Sequence, residues 1–205
     1  MADQISKKTE HGTDSKIPVL DKNDITDAQK IQKLLGGDKL SKEAQEELEK
    51  FTKNFKFLGA NADGTEGIFK GQSGQYQIGG GHIGIDSPLP NNDPKRIESL
   101  IEMAALAHKS FRPGTEIDVS GGSEESRMVS EKIAQMASLK VHIDEKKLAD
   151  INPELDKKIN ETYDKVREKY GLPPRADAVT EFIKNPIVPA MEMGVTTPAP
   201  AALKL

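Results

Sequence analysis

Residues 115–144 read TEIDVSGGSEESRMVSEKIAQMASLKVHID, and this stretch decides the fold. Apolar residues alternate with polar ones in two short segments, at Ile117 and Val119 and then at Leu139, Val141 and Ile143. Between these segments, the apolar residues have the spacing of one helical face, at Val129, Ile133, Met136 and Ala137. A strand, a helix and a second strand in this order form a β-α-β unit. The stretch therefore predicts two parallel neighbouring strands in one sheet.

A glycine turn joins the first strand of this unit to its helix, and two interpretations of the turn are open. Ser123 stands at the expected N-cap position, and two glutamates fill the first helical turn, which favours plain helix capping. Backbone N–H groups at a helix start can instead bind a phosphate. The turn matches neither a Walker motif nor a complete G-x-G-x-x-G. We therefore prefer capping and keep, as the alternative, a phosphate site formed by Ser120, Gly121, Gly122, Ser123 and Arg127.

The same alternation predicts how the sheet is covered. Glu116 and Asp118 must point away from Ile117 and Val119, whereas strands buried on both faces read as nearly continuous apolar runs. Helices are therefore expected on only one face of the sheet. The other face would carry Glu116, Asp118, Lys140, His142 and, further along, Asp144. This face is either simply solvated or the binding face for a partner.

Residues 55–86 consist of short alternating segments separated by glycine turns. Asp63 and Gly64 form a hairpin turn signal, and the alternation of Tyr76 and Ile78 predicts one buried and one wet face. An antiparallel meander is the simplest arrangement. In such a meander, His82 would follow a glycine turn on an edge strand. The alternative for His82 is a general base in a mobile loop, which would make the chain a hydrolase.

Capping signals and helical spacing predict further helices, one capped by Asp24 or Thr26 and others that begin near Ser41, Pro94 and Pro153. We therefore predict a two-layer α+β fold, in which a mixed sheet combines an antiparallel meander with one parallel β-α-β pair and carries helices on one face. The domain is expected to span residues 25–172. Residues 1–24 are polar and lack any period, which predicts a disordered arm. Residues 173–205 predict a short helix and a flexible tail rich in proline and alanine.

The composition limits the classes of function. The net charge of −4 disfavours broad nucleic-acid binding, which requires a basic surface. The chain has no cysteine and no apolar run of membrane-spanning length, and a cleaved secretory signal is not expected. The four histidines are scattered, at His11, His82, His108 and His142. No pair has metal-ligand spacing, so the sequence predicts no metal and no cofactor, and His108, on an apolar helical face, is expected in the core.

Five blocks of sequence lie in order between about residue 67 and about residue 158. They read GIFKGQSGQYQIGGGHIGI, LIEMAALAHKS, TEIDVSGGSEESR, KVHIDE and INPELDKKI. Taken in this order, they resemble the large polyvalent protein-associated domain family, type seven. That resemblance implies a bacterial or mobile-element setting and a module without a catalytic role.

Two functions follow as hypotheses. The first is a non-catalytic bacterial interaction module that binds a protein partner and is associated with a mobile element, conjugation or type IV secretion. Such a module would lie in the bacterial cytoplasm, or would be translocated as an effector, with residues 187–205 as a candidate secretion signal. The second hypothesis is binding of a nucleotide or nucleic-acid phosphate at residues 120–127.

Overall fold

A computed structural model of the chain describes residues 2–7, 26–36, 40–141 and 147–175. The strands formed by these residues are β1 (Ala2–Lys7), β2 (Lys56–Ala60), β3 (Glu66–Lys70), β4 (Gln75–Gly79), β5 (His82–Asp86), β6 (Glu116–Ser120) and β7 (Lys140–Val141). The helices are α1 (Asp27–Leu34), α2 (Lys42–Thr52), α3 (Pro94–Ser110), α4 (Glu124–Met136), α5 (Leu148–Ile151) and α6 (Pro153–Tyr170).

The strands form one mixed sheet, as predicted. Its order is β2-β3-β4-β5-β1-β6-β7, and the described neighbours are antiparallel except for β6 and β7. Helix α4 connects β6 to β7, so the predicted β-α-β unit is present. Strand β7 ends at Val141, and the predicted continuation through Ile143 lies outside the described residues.

Helices cover one face of the sheet, and the core lies between the two layers. Apolar residues on the inner face of the sheet are almost fully buried, namely Ile5, Phe69, Tyr76, Ile78, Ile83, Ile85 and Ile117. Helix α3 lies at the centre of the helical layer, where it contacts α2, α4 and α6 as well as β1 and β5. Its residues 99–107 are all buried. These observations confirm the predicted two-layer α+β fold.

The other face of the sheet is uncovered in the described part of the chain. One row of neighbouring residues crosses five strands, from Ile68 through Gln77, Gly84 and Gln4 to Ser120. Gln77 and Ser120 are exposed, and Ile68 keeps 39% of its surface in solvent. We call this surface, which also carries Glu116, Asp118 and Lys140, the open face.

Helices α1, α2, α3, α4 and α6 begin where capping signals predicted, whereas α5 has no side-chain cap and was not predicted. At five helix starts, a polar side chain accepts a hydrogen bond from a backbone N–H group of the first turn. The accepting residues are Thr26, Ser41, Asp93, Ser123 and Asn152. A proline follows two of these caps, in the first helical turn, where a backbone N–H would have no acceptor within the helix. Helix α6 ends at Gly171, whose φ of 63° lies in the left-handed region that glycine tolerates.

The prediction of a disordered arm over residues 1–24 is wrong for residues 2–7, which form β1 in the interior of the sheet. β1 pairs with β5 on one side and with β6 on the other. Among residues 3–6, whose burial is described, Asp3 and Ile5 are buried, so a carboxylate occupies an inner position and hides the apolar alternation. Residues 8–25 lie outside the described residues.

The insertion of β1 also corrects the prediction for His82. Because β1 pairs with β5, the strand of His82 is internal and not an edge strand. The glycine turn before it is present, with positive φ at Gly80 and Gly81. The His82 Nε2 atom lies 3.7 Å from the Glu66 Oε1 atom.

Candidate functional site

The predicted phosphate turn lies between β6 and α4, and its geometry is that of a helix cap. The Ser123 Oγ atom accepts a hydrogen bond of 3.1 Å from the Ser126 N–H. A Cβ atom on Gly121 would lie 2.8 Å from the Arg127 nitrogen and 3.0 Å from Asp3 Oδ1. Glycine at position 121 is therefore required by the packing of the turn against the helix and β1.

A buried anion already lies behind this turn, and it belongs to the protein itself. The Asp3 carboxylate is fully buried and forms an ion pair with Arg96, whose side chain is 4% exposed. The Ser126 hydroxyl donates to Asp3 Oδ1 at 2.7 Å and accepts from Arg96 at 2.9 Å. Arg96 also donates to the carbonyl oxygens of Ser87 and Leu89. The interior face of the helix start is thus occupied by an internal carboxylate and its counter-ion.

The structure brings together only part of the predicted phosphate site. Ser120, Gly122 and Ser123 are exposed in one turn, with Gly121 beside them. Arg127 forms an ion pair with Glu131 one turn further along α4. Its guanidinium therefore contacts a residue of the same helix, whereas the phosphate-site hypothesis requires it to reach back to the turn.

The first-turn carboxylate of Glu125 is also engaged. It accepts hydrogen bonds from the side-chain amides of Asn91, at 2.7 Å, and Asn152, at 3.2 Å. These contacts join the start of α4 to the loop before α3 and to the start of α6. Glu125 thus has a structural role at the start of α4.

A second buried carboxylate, Glu102 on α3, holds the turn between β3 and β4. It accepts hydrogen bonds from the backbone N–H groups of Gln72, at 2.8 Å, and Ser73, at 2.7 Å. The Tyr76 hydroxyl donates to it at 2.7 Å. Burial, followed by the Glu102 charge, holds the pKa of Tyr76 well above its ordinary value. Glu102 therefore links the β3–β4 hairpin to helix α3 by three hydrogen bonds.

A cluster around Tyr170 contains residue types that occur in acid–base catalysis, but its electrostatics are those of a structural contact. The Tyr170 and Ser73 hydroxyls lie 2.5 Å apart, and the Lys169 ammonium donates to Tyr170 at 3.0 Å. Burial raises the pKa of Tyr170 in spite of these hydrogen bonds. The residue is only 1% exposed. The phenol is thus neither ionised easily nor open to a substrate.

Three of the predicted partner-binding residues, Glu116, Asp118 and Lys140, lie on the open face at its β6–β7 end. Asp118 and Lys140 are exposed and Glu116 is half-buried. Glu116 and Lys140 are register neighbours in the parallel pair. The other two members of this prediction, His142 and Asp144, lie outside the described residues.

A groove of about 640 Å³, not predicted from the sequence, lies beside β7. It is formed by the start of α2, the end of α3, residues 111–115 and residues 138–140. The groove has four basic residues and one acidic residue among its lining side chains: His108, Lys109, Arg112, Lys140 and Glu47. The basic residues come from three segments, so sequence spacing did not reveal them.

His108 is exposed in this groove, so the prediction of a core histidine is wrong. It stands near the end of α3, directly after the buried residues 99–107. Partial desolvation in the concave surface lowers the pKa of His108, and the charge of Lys109 lowers it further. Glu47 and a hydrogen bond to the Ala137 backbone oppose these effects.

Within the described residues, no three His, Asp or Glu side chains are grouped closely enough to hold a metal ion. No helix in the described ranges combines the length and apolarity needed to cross a bilayer. The chain has no significant match to a protein-family model, a curated protein or a solved structure. The family resemblance drawn from the five sequence blocks therefore stays a prediction.

Proposed function

We propose that this chain is a non-catalytic interaction module that binds a protein partner through the open face. The observation that carries the proposal is the sheet itself, whose helices lie on one side and whose other side presents polar and charged side chains to solvent. Asp118, Glu116 and Lys140 supply charges of both signs at one end of this face. Such a mixed-charge surface favours a protein partner over a uniformly charged polymer.

The use of the buried ionisable groups supports a role without catalysis. The Asp3 carboxylate forms an ion pair with Arg96 and accepts a hydrogen bond from Ser126. The Glu102 carboxylate accepts hydrogen bonds from the backbone of the β3–β4 turn and from Tyr76. Both clusters connect secondary-structure elements. A catalytic carboxylate would instead need to be accessible to a substrate, whereas Asp3 and Glu102 are both fully buried.

Site-specific photocrosslinking tests the open face directly. A photoreactive residue at position 118 is expected to give a discrete protein adduct in bacterial cells. The same residue at Lys165, an exposed position on α6, serves as the matched control and should give none. Glu116→Lys should abolish the adduct formed from position 118. Identical adducts from both positions, or none from position 118, would contradict the proposal.

The cellular setting in this proposal is a bacterial mobile element or type IV secretion system, in the cytoplasm or after translocation into another cell. It is supported only by the five resembling sequence blocks. Relaxase or secretion genes beside the coding sequence are the expected observation. A translocation reporter fused to the chain with and without residues 187–205 tests the tail as a secretion signal, which lies outside the described residues.

The alternative proposal, phosphate binding at residues 120–127, has weaker support because Asp3 places a negative charge behind the turn and Arg127 is paired with Glu131. Titration with ATP and with short single- and double-stranded DNA at low salt separates the two functions. The amide resonances of Gly121, Gly122 and Ser123 are expected to stay in place. Saturable shifts of these three signals would instead favour the phosphate site.

A further inference from the structure

The groove beside β7 shares Lys140 with the open face, but its other basic residues and its apolar lining are not used by the proposed function. We propose that it binds an acidic segment of the protein partner, one in which carboxylates alternate with apolar side chains. This inference rests on the proposed function and adds the chemistry of the partner. The groove volume of about 640 Å³ is within the range of about 300–1,000 Å³ that is typical of ligand sites, which suits a short peptide segment.

The charge of the groove is opposite to that of the chain. The chain has a net charge of −4, whereas basic residues outnumber acidic ones around the groove. The one acidic residue, Glu47, lies 3.9 Å from the Lys109 ammonium, which offsets its charge. Among the described residues, no carboxylate lies within ion-pair distance of Arg112 or Lys140. Both cations are exposed and are therefore available to carboxylates of a partner.

The groove also offers apolar surface between its charges. Leu40 and Leu139 are only partly buried and pack against the core from the side of the groove. Ala44 and Pro113 add further apolar lining. A purely ionic ligand would leave this surface in contact with water, whereas a segment with interspersed apolar side chains would cover it.

An extended conformation of the bound segment fits the position of the groove. β7 is the last strand of the sheet, and among the described residues it pairs only with β6. Its outer backbone groups can therefore pair with an added strand. In an extended segment, alternate side chains point in opposite directions, so carboxylates and apolar groups can meet different parts of the surface.

Binding of labelled peptides to the full chain, followed by fluorescence anisotropy, tests this inference. The probe is a peptide of alternating glutamate and leucine, compared with an alternating lysine and leucine peptide and with oligoglutamate. We expect the glutamate–leucine peptide to bind at least about tenfold more tightly than either control peptide. Its affinity should decrease as the ionic strength rises.

Variants of the rim locate the binding. The double variant Arg112→Glu and Lys140→Glu is expected to weaken binding of the glutamate–leucine peptide about tenfold or more. Lys157→Glu on α6 is the matched control, because its side chain is 79% exposed and lies away from the groove, and it should leave the affinity unchanged. Amide spectra of each variant verify that the fold is retained.

Three results would overturn the inference. They are absence of binding, equal binding of all three peptides, and equal loss in the rim and control variants. A discrete adduct from position 118 without peptide binding would reject only the acidic-segment inference and leave the proposed function standing. Peptide binding that survives the rim substitutions would place the acidic segment on another surface.

Discussion

Asp3 fixes β1 to two helices through a single carboxylate. Arg96 reaches it from α3 and Ser126 reaches it from α4, and neither Asp3 nor Ser126 is appreciably exposed. Among the described residues, the Arg96 Nε atom has no hydrogen-bond partner. Because the pair is enclosed, removal of one charge leaves the other buried without compensation.

We expect Asp3→Asn to lower the free energy of unfolding by about 3–5 kcal/mol, because the charge of Arg96 stays buried without its counter-ion. Urea unfolding followed by circular dichroism measures the change. Asp150→Asn is the control, since Asp150 is exposed, and its effect should stay within about 0.5 kcal/mol. Equal effects of the two substitutions would show that the ion pair does not stabilise the fold.

His108 is expected to titrate below its ordinary pKa of 6.5, because desolvation and Lys109 disfavour its charged form. A base with a lowered pKa in the folded state stabilises the fold above the unfolded pKa of 6.5, and this contribution is lost as the pH falls through the lower folded pKa. Glu47→Gln should lower the pKa further, because Glu47 raises it. Arg112 and Lys140 line the same groove and add positive charge. Imidazole NMR titration of both proteins checks the direction, and an unchanged or higher pKa in the variant would contradict it.

The junction of β6 and α4 depends on close packing at one glycine. Gly121→Ala would place a methyl group 2.8 Å from the backbone nitrogen of Arg127, which cannot move without disturbing α4. We expect a loss of about 1–3 kcal/mol in the free energy of unfolding. Ser120→Ala, at the exposed neighbouring position, is the control and should have little effect. A neutral Gly121→Ala would show that the turn is looser than this geometry.

Most elements could be predicted because their signals are local. Caps at Ser41, Ser123 and Asn152, and the alternation around Ile117, are read over fewer than ten residues. β1 could not be predicted, because its inner positions hold one apolar residue and one carboxylate. The burial of this carboxylate is explained by its ion pair with Arg96, which lies 93 positions away in the chain.

At the scale of the whole molecule, the fold class was predictable and the strand order was not. The meander and the β-α-β unit each follow from local patterns, but the insertion of β1 between them depends on long-range pairing. The open-face residues Glu116, Asp118 and Lys140 follow from alternation. The groove does not, because its basic residues meet only after α3 and β7 have packed.

Alkaline pH is expected to unfold the whole molecule through its tyrosines. Burial raises the pKa of all three, Tyr76, Tyr163 and Tyr170, and that of Tyr163 rises to about 12. An acid with a raised pKa stabilises the fold below the unfolded value of 10.0, and this stability is lost as the pH rises through the folded pKa. Tyrosine absorbance should therefore change together with circular dichroism above pH 10. The protein in denaturant is the control, and ionisation of the native tyrosines near pH 10 without unfolding would contradict the prediction.

The position of β1 also has a consequence for the order in which the chain folds during synthesis. Asp3 leaves the ribosome 123 residues before Ser126, to which it binds. Until β6 has emerged, β1 lacks one of its two neighbouring strands. Because such distant pairings form slowly, the nascent chain has to avoid aggregation while β1 is still unpaired on that side.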